Sequence, residues 1–277
     1  MSADVPSMSG ELPPQVDVST PNPARIYDYL LGGANNFAVD RETAEQSMAA
    51  GSVSAAPARL NRSFLRRAVQ FMVDQGIDQF LDLGSGIPTV GNVHEIAQHA
   101  NPDARVVYVD NEPVAIAYAR QLLADNPGAA IVGHDLRDVD AVLGSPEVAG
   151  LLDFSRPVGV LMVAIFHFIQ DTDGPEEIIS RYLSMVPSGS YLAMSHYTED
   201  GHSEEKRART RSGLAAYKRT QTSVVPRSRE RLGELLHGLD ILEPGIVWTP
   251  EWRPDGDLET QDPTEAEILA VVARIDH

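Results

Sequence analysis

Phe80-Leu-Asp-Leu-Gly-Ser-Gly-Ile-Pro-Thr89 constrains this chain more than any other segment. A short apolar run leads into two glycines, with Asp82 two positions before Gly84. The run reads as a buried strand, and the glycines let the backbone turn sharply and approach a ligand closely. A carboxylate beside such a turn can pair with an ammonium group through a charge-assisted hydrogen bond. S-adenosylmethionine carries an ammonium together with a sulfonium cation. The competing reading is a dinucleotide site, whose fingerprint is G-x-G-x-x-G/A. In that register the third position is Thr89, so the fingerprint fails. A plain strand-to-helix turn is the bland alternative.

Strands and helices alternate from here. The expected strands are 79–83, 105–109, 129–132, 158–165 and 190–195, then 245–249 and 268–275. The expected helices are 58–75, 89–100, 113–124, one opening after Asp173, 203–220 and 228–236. This pattern predicts an α/β fold with an open, mostly parallel sheet covered on both faces. Ligands bind such sheets outside the carboxyl ends of the strands, which makes those ends the place to look.

Three consecutive strand ends carry acids. Asp82 lies before Gly84, Ser85 and Gly86. Asp110, followed by Asn111, ends the second strand and suits the two hydroxyls of a ribose. Asp135, followed by Leu136, ends the third and could accept a hydrogen bond from an adenine amino group. Asp135 or Asp138 could equally be a helix N-cap. The fourth strand ends Ala164-Ile-Phe-His167, which places His167 near a reacting centre as a possible base or as a core histidine. His196 ends the fifth strand.

Residues 1–20 contain Pro6, Pro13 and Pro14 and read as a flexible or wrapping arm. Residues 21–76 read as an N-terminal helical cap and 77–277 as the main domain. Within the cap, Pro21–Phe37 mixes aromatics, a Gly pair and an Asn pair. It reads either as a binding lip or as a turn packed on the body. Its candidates are Arg25, Tyr27, Asp28, Asn35, Asn36 and Phe37 for substrate contact, with Tyr29 as a further possible base.

Composition narrows the function. The 277 residues carry a formal net charge of -18, which disfavours nucleic acid and anionic membranes. Two basic clusters, Arg59/Arg62/Arg66/Arg67 and Lys206/Arg207/Arg209/Arg211, read as solvated helix faces or internal ion pairs. With no Cys there is no disulfide, thiol nucleophile or thiolate metal site. His94 and His99 suggest a zinc-protease helix but lie five apart, about 140° round the helix, so no metal is expected. Met1–Gly10 lacks an apolar core, and no apolar run approaches bilayer length, so a cytoplasmic location is expected.

Three stretches carry a family resemblance: Pro21–Phe37, Phe80–Thr89 and Val-Tyr-Val-Asp-Asn-Glu-Pro (107–113). With them the chain, from about Thr20 to its C-terminus, resembles the class I S-adenosylmethionine-dependent methyltransferases. More narrowly it resembles a bacterial family named S-adenosyl methyltransferase, once catalogued as a domain of unknown function. The resemblance implies a Rossmann-like, seven-stranded sheet with a C-terminal antiparallel hairpin. It implies S-adenosylmethionine as cofactor and S-adenosylhomocysteine as product. Its contacts would be Asp82, Gly84 and Gly86, with Asp110 on the ribose and Asp135 on the adenine. Pro88 stands where the broader group often has a third glycine. The acceptor is expected to be a small molecule, because no Asn/Asp-Pro-Pro-Tyr type run follows the fourth strand. A non-catalytic, cofactor-binding regulator and an NAD-linked oxidoreductase are the alternatives. The oligomeric state stays open.

Overall fold

The computed structural model describes residues 16–51, 53–88, 91–208, 210, 223–256 and 260–277. Five parallel strands form its centre: β1 (Gln79–Leu83), β2 (Arg105–Val109), β3 (Ala129–Val132), β4 (Gly159–Val163) and β5 (Ser190–Tyr197). The long β8 (Ile268–Ile275) runs antiparallel to β5. The order is β3-β2-β1-β4-β5-β8-β6, so it reverses direction between β1 and β4. The carboxyl ends on either side of that reversal form the crevice where such sheets bind ligands.

The sheet has eight strands rather than the expected seven. The extra one arises because β6 (Asp240–Ile241) and β7 (Val247–Trp248) both pair with β8, interrupted by Glu243-Pro244-Gly245. Proline cannot donate to a ladder, which explains the break.

Side chains alternate across β1. Leu81 and Leu83 join a core with Val107, Val109, Val160 and Met162, covered by α6 (Val139–Leu143), α7 (Pro146–Leu151), α8 (Pro175–Leu183) and α9 (Arg229–Leu235). Phe80 faces the other way, onto α3 (Ala55–Asp74), α4 (Val93–Ala100) and α5 (Pro113–Leu122). Asp82 shares the face of Phe80, because alternate residues of a strand point the same way. It therefore ends β1 on the side of α3.

Residues 21–76, expected as a cap, hold α1 (Pro23–Leu30), α2 (Ala38–Ala49) and α3, whose Phe64, Leu65, Ala68, Val69 and Met72 pack into the core on one face of the sheet. Asn22 caps α1, its side chain accepting from the Ala24 N–H, and Pro23 suits the first turn. The expected helix before Gly32 is present, whereas α2, just after the Pro21–Phe37 stretch, was not expected. The buried stripe of α2 is Asp40, Thr43, Ala44 and Ser47, helically spaced but mostly polar, so hydrophobic periodicity does not reveal it. Of the expected 203–220 helix, Ser203 lies before it, 204–208 and 210 are helical, and 209 and 211–220 lie outside the described residues, as do Thr89 and Val90. Among the described residues no helix is long and apolar enough to cross a membrane.

Asp28 organises the α1–α2 turn. Its Oδ2 accepts from the Asn35 N–H at 2.9 Å and from Asn36 Nδ2 at 2.8 Å. Gly33 passes so close that an added Cβ would lie 2.0 Å from Asp28 Oδ1. Gly33→Ala is therefore expected to cost about 1–3 kcal/mol, the usual range for overpacking, read as a lower urea midpoint at unchanged slope.

Candidate functional site

The glycine turn is fixed from both sides. Gly84 and Gly86 have φ of 72° and 67°, left-handed values that suit glycine. At Gly84 a Cβ would also strike Ile165, at 2.2 Å from Cγ1. The Gly84 and Ser85 N–H groups donate to Val109 O at 2.8 and 3.1 Å. Asp110 then accepts from the Gly86 N–H at 2.7 Å and the Glu112 N–H at 2.8 Å, one on each carboxylate oxygen. Each oxygen keeps a lone pair for a ligand hydroxyl.

These groups open into a cavity of about 520 Å³. Asp82, Gly84, Ser85, Gly86, Asp110, Asn111, Asp135, Leu136 and Ala164 all line it. Burial pushes the Asp82 carboxyl up to about 7, Arg62 pulling it back and Asp110 adding to the rise. Burial also raises Asp110. Asp135 behaves oppositely. Burial opposes its ionisation, but the hydrogen bonds and charge of Arg137 and a bond from Asn111 hold it below the usual carboxylate range.

The opposite wall comes from α1, α3 and the rims of β4, β5 and β8. It includes Tyr27, Leu30, Val53, Leu65, His167, Phe168, Tyr197, Glu267 and Ile268. A directional hydrogen-bond chain stiffens it. The Ala164 N–H donates to Ser195 Oγ (2.9 Å), which donates to Asn61 Oδ1 (2.6 Å). Asn61 Nδ2 donates to Tyr27 Oη (3.0 Å), which donates to Ala58 O (3.1 Å). Ala164, with φ of 55°, adopts its strained backbone within this chain.

The candidate bases separate. His167 lines the cavity, and its Nδ1 accepts from the Tyr197 N–H at 3.5 Å. That bond leaves its proton on Nε2. Burial, His196 and Arg227 hold its pKa well below the ordinary value, so it stays neutral. His196 does not line the cavity. Its Nδ1 lies 2.7 Å from Tyr197 O and its Nε2 3.0 Å from Arg227 Nη1, so both ring nitrogens are engaged. Tyr29 also lies off the cavity wall, donating to Glu45 at 2.9 Å.

Of the six cap residues expected to meet substrate, only Tyr27 reaches the cavity. Arg25 is buried between Asp40 and Glu112. Asp28, Asn35 and Asn36 bond to one another in the α1–α2 turn. Phe37 packs against the cluster of Ile87, Val114, Ala115 and Tyr118. Polar residues dense in sequence here build the cap's interior.

Sequence reasoning missed Arg62, Asn61, Tyr197 and Glu267 on the cavity wall. The four arginines of the first basic cluster diverge. Arg62 faces the cavity, Arg66 pairs with Asp255, and Arg67 donates to Trp252 O and Thr249 O. The signal available was spacing: Leu65 and Arg62 are three apart and share the α3 face that covers β1. Lys206 of the second cluster pairs with Glu267 at 2.8 Å, while Arg209 and Arg211 lie outside the described residues. His94 Nδ1 lies 2.7 Å from Tyr108 Oη, and among the described residues no group of three His, Cys, Asp or Glu could hold a metal ion.

The donor set suits one ligand class. An acid and a guanidinium side by side match the ammonium and carboxylate of an amino acid. Acids at the next two strand ends match a nucleoside. Ser85 Oγ is buried on this wall without a hydrogen-bond partner among the described residues. S-adenosylmethionine joins an amino acid to a nucleoside and fits this set.

Comparison with known proteins agrees. The sequence profile of the family described as S-adenosyl methyltransferase matches residues 9–276. The crystal structure of a DUF574 family protein from Streptomyces avermitilis shares 36% identity and a TM-score of 0.87, covering 93% of this chain and 98% of that one. A candidate methyltransferase from Thermobifida fusca shares 35% identity and a TM-score of 0.86, covering 96% and 98%. Among curated proteins none matches. The chain belongs to the S-adenosyl methyltransferase family and is an enzyme that uses S-adenosylmethionine as its methyl donor.

Proposed function

We propose that this enzyme methylates a small-molecule acceptor bound between the helical cap and the β4–β5 rim. One observation carries the reading: a single cavity joins the strand-end acids to a second wall of mainly apolar and aromatic side chains. In this reading Asp82 holds the cofactor's ammonium and Arg62 its carboxylate. Asp110 holds the ribose, and Asp135 with Asn111 borders the adenine. The cofactor supplies a methyl group on a positively charged sulfur that is already a good leaving group. The chain's own task is to hold the acceptor in line and keep water out. Tyr27, Leu30, Leu65 and Phe168 shape the acceptor end. His167, neutral with its proton on Nε2, donates a hydrogen bond there rather than taking a proton.

Asp82, Asp110 and Asp135 face the cofactor in this reading, and Glu112 and Glu267 on the same cavity are paired with Arg25 and Lys206, which favours an acceptor without a large net charge. The cap closing over the cavity also favours a small molecule over a polymer.

Calorimetric titration of S-adenosylhomocysteine, with NAD as control, tests the cofactor arrangement. Micromolar affinity for the former and none for the latter is expected. The ammonium needs ionised Asp82, whose carboxyl in the free protein titrates near 7. Affinity should therefore fall about tenfold from pH 8 to pH 6, through the proton that must leave Asp82. Preference for NAD, or no binding by folded protein, would overturn the reading. Release of S-adenosylhomocysteine across a panel of amines, phenols and carboxylates then tests the acceptor.

A further inference from the structure

The cap and the cofactor pocket meet at one buried guanidinium. Arg25 Nε lies 2.9 Å from Asp40 Oδ2, and Nη1 lies 3.2 Å from Glu112 Oε1. Nη1 also donates to Asp17 O at 3.2 Å, and Nη2 to Thr20 O at 2.5 Å. Asn22 doubles the link, its Nδ2 donating to Glu112 Oε2 at 2.8 Å and its N–H to Asp40 Oδ1 at 2.9 Å. One side chain thus ties together the 17–20 segment, α1, α2 and the start of α5. Arg25, Asp40 and Glu112 are all buried, so their charges depend on one another.

The chain of contacts ends at the strand-end acid. The Glu112 N–H donates to Asp110 Oδ1, and Asp110 Oδ2 takes the Gly86 N–H. A second, apolar connection runs beside it. Val16 and Phe37 pack on Ile87, Val114, Ala115 and Tyr118, so the arm and the cap both lean on the residue after Gly86 and on α5. The Arg25 guanidinium lies 5.1 Å from the Phe37 ring centroid, which joins the polar and apolar connections.

We propose that Arg25 is a positioning residue that couples docking of the N-terminal cap to the sugar-binding geometry of Asp110. This rests on Asp110 being the ribose acid. Lifting the cap strips Glu112 of both Arg25 and Asn22. The start of α5 then loses its anchor, and the Glu112 N–H no longer fixes the Asp110 carboxylate. A ligand that needs that carboxylate in place favours the docked cap, and the docked cap favours the ligand by the same factor. Arg25 does not line the cavity, so it acts through Glu112.

Two readouts separate this coupling from a purely structural role. The first is hydrogen exchange of wild-type amides in α1 and α2, with and without saturating S-adenosylhomocysteine. Slower exchange on ligand binding is expected in α2, none of whose residues line the cavity, and not only in α1, which Tyr27 and Leu30 place against it. The second is S-adenosylhomocysteine affinity of Arg25→Lys, which keeps the charge but not the fork that spans two carboxylates. A loss of about tenfold is expected, within the usual range of coupling between sites, together with loss of the ligand-dependent protection. Asp40→Asn, also off the cavity wall, should shift affinity in the same direction. Affinity within twofold of wild type in either folded variant, or wild-type exchange indifferent to ligand, would overturn the proposal. The exchange experiment decides it even if both variants fail to fold. Failure of the wild type to bind S-adenosylhomocysteine at all would instead strike the assignment of Asp110, and the titration reports that separately.

Discussion

Asp82→Asn should make the free protein more stable while removing most of its cofactor affinity. Burial raises the Asp82 carboxyl from 3.8 to about 7, so the folded chain resists its ionisation. Unfolded chain loses that proton near 4, so the cost to folding grows as pH rises from about 4 to about 7 and is then constant. The full shift corresponds to at most about 4 kcal/mol. Asparagine removes the cost, and a gain of several degrees in Tm is expected at pH 8 for a chain of this size. The gain should shrink towards zero by pH 4. Binding responds in the opposite sense, since truncating one partner of a buried charge pair typically costs about 2–5 kcal/mol. S-adenosylhomocysteine affinity should fall at least about thirtyfold. Thermal scans at pH 4 and 8, with one titration at pH 8, read both effects. A variant less stable than wild type at pH 8, or one that binds normally, would contradict the role given to Asp82.

The largest loss of stability is expected at Arg227→Met. Arg227 Nη1 donates to Phe166 O (2.9 Å) and lies 3.0 Å from His196 Nε2, and Nη2 donates to Ile169 O (2.9 Å). Its pair with Asp171 adds little, because Asp171 is largely exposed. Methionine fills similar space but leaves His196 Nε2 and Ile169 O without a donor, while Phe166 O keeps only the Ile169 N–H, at 3.1 Å. The penalty is about 1–3 kcal/mol for each such group, and about 3–5 kcal/mol overall is expected after relaxation. Urea unfolding at pH 7.5 measures it. Burial holds His196 down to about 4, the Tyr197 carbonyl opposing and the Arg227 charge adding. Wild-type stability therefore declines as pH falls from about 6.5 towards 4, and the gap between wild type and variant should narrow over that range.

The sheet and its acids are legible in the sequence because their signals are local. Val-Val-Tyr-Val and Leu-Met-Val are apolar runs, and each of the first three expected strands ends in an acid placed at one edge by topology alone. The strands at 79–83, 105–109 and 129–132 form with those bounds. The cap resists the same approach. Arg25 with Asp40, and Asp28 with Asn35 and Asn36, pair in a buried polar interior, and a dense polar motif has the same composition whether it faces a ligand or itself. Arg62 was hidden among four arginines whose different environments depend on how α3 meets β1. The two-residue β6 and the short α6 and α7 are too brief to carry a period.

The chain from Ala164 through Ser195 and Asn61 to Tyr27 bears on how broadly this scaffold can serve. Its donors are spent within the wall, so in the proposed reading the acceptor end discriminates by shape and by the hydrogen bond from His167. A pocket of that kind distinguishes ligands differing by one methylene by only about 1–3 kcal/mol. Under the proposed function, tolerance of acceptors that differ in apolar bulk is expected, with preference shifted by single exchanges at Leu30, Val53 or Leu65. None of those positions is one of the acids at the strand ends, so in that reading acceptor choice can diversify while Asp82, Asp110 and Asp135 are kept.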